Sequence, residues 1–290
     1  MRVTQGMLTN NMLRNLMNSQ QRMNTYLEQM STGKKINRPS QDPVIAVKGI
    51  NFRKQVEQIS QYKRNASEIH SWMDNSDAAL DKTTHTLQRV RELTLQANNS
   101  HYGADERESI KQEIEQLMDH LVELANTSVN DRYIFNGTNT AEKPVEYDGT
   151  NITVNHNTDS FFIPISNQTS IQANVDPSKV FTQEMFDDLK ELIARLENGD
   201  DLNTSLGAID NHLNNTINAR AELGARMNRL ELIENRLDEQ EIIATRTMSE
   251  NEDIHMEEAI INLITQESLH RAALAAGSRI IQPTLIDFLR

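Results

Sequence analysis

Residues 59–97 read ISQYKRNASEIHSWMDNSDAALDKTTHTLQRVRELTLQA. Stepped alternately by three and four from Ile59, the stretch returns Tyr62, Ala66, Ile69, Met73, Ser76, Leu80, Thr83, Leu87, Val90, Thr94 and Ala97. Apolar residues recurring at that mean step of 3.5 form a heptad seam along one helix face, here diluted by small polar side chains. No Pro or Gly occurs from Ile50 to Tyr102, so one helix is predicted, on the order of 75 Å long at ~1.5 Å per residue. A single globular core is not that wide. The pattern therefore predicts a mainly α, elongated helical bundle.

Towards the N-terminus, Val3, Met7, Leu8, Met12, Leu13, Leu16, Met17, Met23, Leu27 and Met30 follow three- and four-residue steps. They predict an amphipathic helix broken at Gly33. Two prolines, Pro39 and Pro43, forbid a continuous helix through the next segment, which is expected to be an ordered or strained loop. Beyond the long helix, Asn98 to Gly103 ends the pattern. Asp105 with Glu108 has the form of a capping box, opening a helix that buries Ile110, Ile114, Leu117, Leu121, Leu124 and Val129.

Past Asp131 the period shortens. Tyr133 to Phe135 reads as a strand before the Asn136-Gly137 turn, and Val145 to Val154 as a hairpin around Asp148-Gly149. Phe161 to Ile165 and Ser170 to Val175 are further strand candidates. Helix returns from Phe181 to Glu197. The seam resumes through Leu202, Leu206, Ile209, Leu213, Leu223, Met227, Leu230 and Leu237, and polar residues 248–253 are expected to interrupt it. Met256, Ile260, Leu263, Leu274 and Ile281 mark a last helix ahead of Pro283. The resulting division is an N-terminal assembly helix and loop (1–43), a helical rod (44–135), a small β insert (136–180), a returning rod (181–253) and a C-terminal assembly helix (254–290). Paired N- and C-terminal halves would satisfy the seams together.

Composition excludes several classes of function. The 290 residues carry 42 acidic against 29 basic side chains, a formal charge of −13, which disfavours a nucleic-acid surface because phosphate affinity is built from Lys and Arg. Cysteine is absent, so there is no disulfide framework, thiolate metal site or cysteine nucleophile. No apolar run reaches the ~20 residues needed to span a bilayer, and no charged n-region with an unbroken h-region appears. Residues 1–40 hold six basic side chains against Glu28 alone. That pattern fits a transit peptide or membrane-surface helix in charge, but the segment is rich in Asn, Gln and Met where membrane anchors are bulky.

Candidate chemistry is thin. His255 stands among Glu252, Asp253, Glu257 and Glu258, yet no second imidazole lies at ligand spacing, and an acidic helix start explains the cluster. Gly33-Lys34 lacks the upstream glycine of a phosphate loop. Trp72, the only tryptophan, borders the seam and is expected to pack at the bundle edge. The methionine-rich face of residues 7–30 suits a partner surface, since thioether side chains adapt to irregular shapes. Nothing obvious in the chain covers the apolar faces at its two ends. The expected assembly interface is Met7, Leu8, Met12, Leu13, Leu16, Met23, Leu27, Met30, Ile260, Leu263, Leu274, Ile281, Leu285 and Phe288, with no catalytic, cofactor or metal residues.

Three longer motifs carry a resemblance. Met1-Arg2-Val3-Thr4-Gln5-Gly6-Met7 with Gln29-Met30-Ser31-Thr32-Gly33-Lys34-Lys35-Ile36-Asn37-Arg38, then Leu87-Gln88-Arg89-Val90-Arg91-Glu92-Leu93, then Leu285-Ile286-Asp287-Phe288-Leu289-Arg290 resemble signatures of the flagellin superfamily. Pro39-Ser40-Gln41-Asp42-Pro43 and Asp131-Arg132-Tyr133-Ile134-Phe135-Asn136-Gly137-Thr138 look more like its hook–filament junction members than its filament subunits. So do Ser268 to Leu274 and Ile280 to Leu285.

The resemblance implies a flagellin-like bundle and a structural, non-enzymatic subunit at the junction between hook and filament. It implies export unfolded through the flagellar type III channel with an uncleaved signal. Implied partners are copies of the chain itself, a neighbouring hook-associated protein on the hook side, flagellin on the filament side and a cytosolic flagellar export chaperone. Neither a cofactor nor nucleic acid nor membrane insertion is implied. A filament subunit is the nearest alternative. A coiled-coil adaptor would need an unbroken hairpin, and an enzyme in the insert would need more than about forty residues and an acid–base pair.

Overall fold

The structure, a computed structural model, describes residues 5–98, 104–149 and 151–281. It is mainly α, as expected. Six helices, α1 (Gln5–Thr32), α2 (Pro43–Ala97), α3 (Ala104–Ala125), α4 (Gln183–Asn198), α5 (Asn203–Glu252) and α6 (Met256–Ile281), flank a set of short strands between α3 and α4. The chain divides into two compact units, one of Met1–Gln58 with Gln240–Arg290 and one of Ile59–Glu239.

In the second unit the α2 seam is buried as the heptad requires. Ala66, Ile69, Met73, Ser76, Leu80, Thr83, Leu87, Val90 and Thr94 are all 0 % exposed, Ile59 and Ala97 are buried, and only Tyr62 is half-exposed. The polar members cost little because Ser76, Thr83 and Thr94 each return a hydroxyl hydrogen bond to the carbonyl four residues back. α5 runs antiparallel beside α2, held by Arg220 on Asp77 and Asp81, Arg91 on Asp210 and Lys63 on Asp238.

The α5 seam differs from the expected one. Leu206, Leu213 and Met227 are only half-buried, whereas Leu202, Ser205, Ile209, His212, Thr216, Ala219, Leu223, Leu230, Ile233 and Leu237 are buried. The strict sevenfold ladder passes through polar residues, which local bonds satisfy: His212 Nε2 lies 2.7 Å from Asp188 Oδ2 and Thr216 donates to the His212 carbonyl. The interruption expected over residues 248–253 comes at their far end: 248–252 stay helical and the helix stops at Glu252.

α3 and α4 complete the second unit's helical core through Ile110, Ile114, Leu121, Met185, Phe186, Leu189 and Leu192. Leu117 is half-buried and Met118 takes its expected place. α3 begins at Ala104, so Asp105 lies inside its first turn, where the helix dipole still favours it, and not at the cap. α4 is capped by Thr182, which accepts from the Met185 amide, and stopped by Gly199 at φ 75°.

The insert is three separate antiparallel hairpins: β1 (Ser128–Val129) with β2 (Arg132–Tyr133), β3 (Val145–Tyr147) with β4 (Ile152–Val154), and β5 (Phe162–Ser166) with β6 (Thr169–Gln172). The strand expected over Tyr133 to Phe135 is cut short. Ile134 and Phe135 turn inward, and Phe135 meets Phe181 edge-on at 4.9 Å between ring centroids.

Candidate assembly interface

The first unit is built on the two chain ends. α1 stops where Gly33, at φ 68°, returns its amide to Gln29, a left-handed cap that glycine adopts without steric cost. The chain then meets α5 head on. Lys34 bridges Asp253, the Lys35 amide donates to the Glu252 carbonyl at 2.7 Å, and the Ile254 amide to the Gly33 carbonyl at 3.0 Å. Asp42 caps α2 through the Val44 and Ile45 amides, with Pro43 at the helix's first position, where its missing N–H is harmless. α2 thus starts seven residues before the Pro- and Gly-free stretch of the sequence and passes through Gly49.

Glu252 lies against Gly49. A Cβ at position 49 would stand 2.5 Å from Glu252 Oε1. The Glu252 side chain is 5 % exposed and takes both arms of the Arg53 guanidinium at 2.8 Å each, with Lys34 Nζ at 3.5 Å. Lys34 Nζ also donates to Asp253 Oδ1 at 2.6 Å. This charged clasp fixes the loop between α1 and α2 against the end of α5. The loss of a bidentate, buried acceptor costs about 1.5–3 kcal/mol. Glu252→Gln is therefore expected to speed hydrogen exchange at the Lys35 and Ile254 amides by roughly ten- to a hundredfold. Unchanged exchange would refute the clasp.

Acid should loosen it too. The Lys34 ammonium and then the Ser249 hydroxyl hold the Asp253 carboxyl below the usual carboxylate range, while the Asp253 hydrogen bond raises Lys34. A depressed carboxyl contributes stability that is complete above its unfolded pKa of ~3.9 and fades as pH falls through the lower folded value. Raised Lys34 adds the mirror limit above ~10.4. Both side chains are about two-fifths exposed, so the pair is worth ~0.2–1 kcal/mol. The stability difference between wild type and Asp253→Asn, read by circular dichroism, should be present at neutral pH and fade as acid protonates the depressed carboxylate.

α1 and α6 pack antiparallel. Gln266 donates to Ser19 Oγ at 3.1 Å, and the Met12 methyl fills the space that a side chain at Gly277 would need. This corrects the expectation that nothing in the chain covers the terminal faces, since each helix covers part of the other. Met12, Leu16, Met23, Met30 and Leu263 are half-buried. Met7, Leu8, Leu13, Leu27, Ile260 and Leu274 are exposed. Nothing is described of the Ile281 side chain, and Leu285 and Phe288 lie outside the described residues.

Other exposed apolar side chains extend this surface beyond the expected set: Met17 at 68 % and Ile261 at 63 % on the terminal helices, Val44, Val47 and Ile50 on α2, Ile242 and Ile243 on α5. Among the described residues, sixteen of the twenty-one exposed large apolar side chains belong to this smaller unit. So dense a clustering sets this unit apart, because apolar residues exposed singly are ordinary and crowded ones are not. The signal was present for α6, where Ile260, Ile261, Leu263 and Ile264 crowd more than one face, as in helices covered on two sides. Val44 and Val47 sit so near the prolines that periodicity gave them no helix.

Among the described residues no cluster of three or more His, Cys, Asp or Glu is arranged to hold a metal ion, and no helix is long and apolar enough to cross a membrane. His255 is exposed.

Residues 3–140 match the bacterial flagellin N-terminal helical region and residues 206–289 the bacterial flagellin C-terminal helical region, together about three quarters of the chain. The chain is 28 % identical to flagellar hook-associated protein 3 of Escherichia coli, covering 95 % of this chain and 96 % of that one. It is also 28 % identical to flagellin FlaB1 of Treponema pallidum, but there the similarity takes in 71 % of this chain and 70 % of the other. In fold it resembles a hook-associated protein of Vibrio parahaemolyticus, with a TM-score of 0.69 at 20 % identity over 73 % of this chain and 100 % of that one. The paired terminal helices, the seams behind them and these similarities agree: the chain belongs to the flagellin family, as a structural subunit of the hook-associated protein 3 kind.

Proposed function

We propose that the chain forms the layer that joins hook to filament in the bacterial flagellum, by helical self-assembly of its terminal segments, residues 1–43 and 254–290. The carrying observation is the concentration of exposed apolar side chains on the unit that holds both chain ends. Each such side chain that a neighbour covers contributes roughly 1.5–3 kcal/mol, and the surface offers many at once. Met7, Leu8, Met12, Leu13, Leu16, Met23, Leu27, Met30, Ile260, Leu263, Leu274, Ile281, Leu285 and Phe288 are the residues we assign to it, and Met17, Ile261 and Ile264 join them.

Its partners in this reading are further copies of itself, a hook-associated protein towards the hook, flagellin towards the filament and a cytosolic export chaperone before assembly. Export proceeds unfolded without a cleaved leader, and the chain performs no catalytic step. Membrane and nucleic acid play no part. The absence of cysteine suits a protein that must remain free of cross-links in transit.

Immunogold electron microscopy of intact flagella, with antibody against residues 140–176, tests the placement. One cluster of gold between hook and filament is expected. Label along the whole filament would make the chain a filament subunit instead, and unlabelled flagella would remove it from the structure.

A further inference from the structure

A groove of about 550 Å³ runs between α2 and the β1–β2 turn of the second unit. Arg64, Ser67, Ser71 and Trp72 line it from the helix; Asn130 and Arg132 line it from the turn, with Glu68 and Val129 also on the wall. Ser67 and Ser71 stand one helical turn apart, so the floor is open where longer side chains would fill it.

The groove is positive in an acidic molecule. Arg89, Arg91, Arg195 and Arg220 of the same unit are each paired with carboxylates. Arg64 reaches only Ser60 and Gln61, and neither Arg64 nor Arg132 is ion-paired among the described residues. Trp72 is 8 % exposed and its indole N–H is buried with no acceptor, a rare and costly condition for a donor in a settled core. Two guanidiniums free of carboxylates line one concavity, with the Trp72 ring in its wall. Glu68 leaves a single net positive charge, which selects a partner that can aim its own charge at the arginines.

We propose that this groove receives a carboxylate-bearing segment of a second copy of the chain. Charge complementarity argues for that occupant: each copy presents 42 acidic side chains against 29 basic ones, and guanidinium forks match carboxylates in geometry as well as sign. The inference rests on the junction reading, which sets copies side by side. It adds a lateral contact made by the second unit, distinct from the apolar surface of the chain ends.

A photo-crosslinking residue in place of exposed Ser71, carried by the full chain in assembled flagella, tests it. Irradiation should yield a dimer of this chain, with mass spectrometry mapping the adduct to an acidic peptide of the second copy. Combining Arg64→Gln with Arg132→Gln should lower dimer yield about fivefold or more, as screened charge contacts do when one partner is neutralised. Arg236→Gln, an exposed arginine outside the groove, should leave it unchanged. Loss of incorporation by the double variant with its circular dichroism intact would count on the same side. If the chain is in the junction but the adduct is to another protein, or none forms, or the double variant crosslinks as well as the wild type, the groove inference fails and the junction reading stands. If the chain is missing from flagella, the junction reading fails and the groove contact with it.

Discussion

Phe135→Ala should lower the stability of the second unit by about 3–5 kcal/mol, the usual cost of emptying a buried aromatic site. Phe135 is 1 % exposed, packs edge-on against Phe181, itself 1 % exposed, and sits where the chain leaves α3 for the insert. The pair therefore loses transfer energy, a ring–ring contact worth ~0.5–1.5 kcal/mol, and the filling of its cavity together. For a unit of this size the melting temperature should fall on the order of 10 °C. Phe162→Ala is the control, because that ring is 56 % exposed and its loss should stay within about 0.5 kcal/mol. A Phe135→Ala protein melting with wild type would mean the insert is not anchored through this ring.

Removing residues 1–30 or 260–290 should abolish incorporation into flagella while leaving the second unit folded. α1 and α6 are each other's partner within the chain, so cutting either leaves the other with a bare apolar stripe and no neighbour to order against. Holding a helix in place costs ~1–2 kcal/mol per residue in backbone entropy, which only burial offsets. The second unit keeps its own core from Ile59 to Leu237. Its melting transition should survive in the purified truncations, and a truncated chain found in flagella would sink the assignment of the ends as the assembly segments.

How much could be read beforehand depended on whether the seam was apolar. On α2 a regular step of 3.5 caught eleven buried positions because large apolar residues recur often enough to fix the phase. On α5, Leu206 and Leu213 pulled the phase off by one position from Ser205 and His212. Extending the sevenfold step back from Leu223 through Thr216 to Ile209 and Leu202 would have restored it. The clasp was invisible for a different reason. Glu252 reads as solvent-facing until Arg53 and Gly49, some two hundred residues away, are folded against it. The candidate interface fell between these cases, with its terminal helices legible and its α2 and α5 margins not.

The lone tryptophan makes the two units spectroscopically unequal. Trp72 is enclosed beside Phe161 in the second unit, while the unit bearing the chain ends has no indole. Emission therefore reports melting of the second unit only, whereas far-ultraviolet dichroism sums over all six helices. An early dichroism loss at constant emission would be the terminal helices unfolding alone, and its amplitude would weigh them without any label.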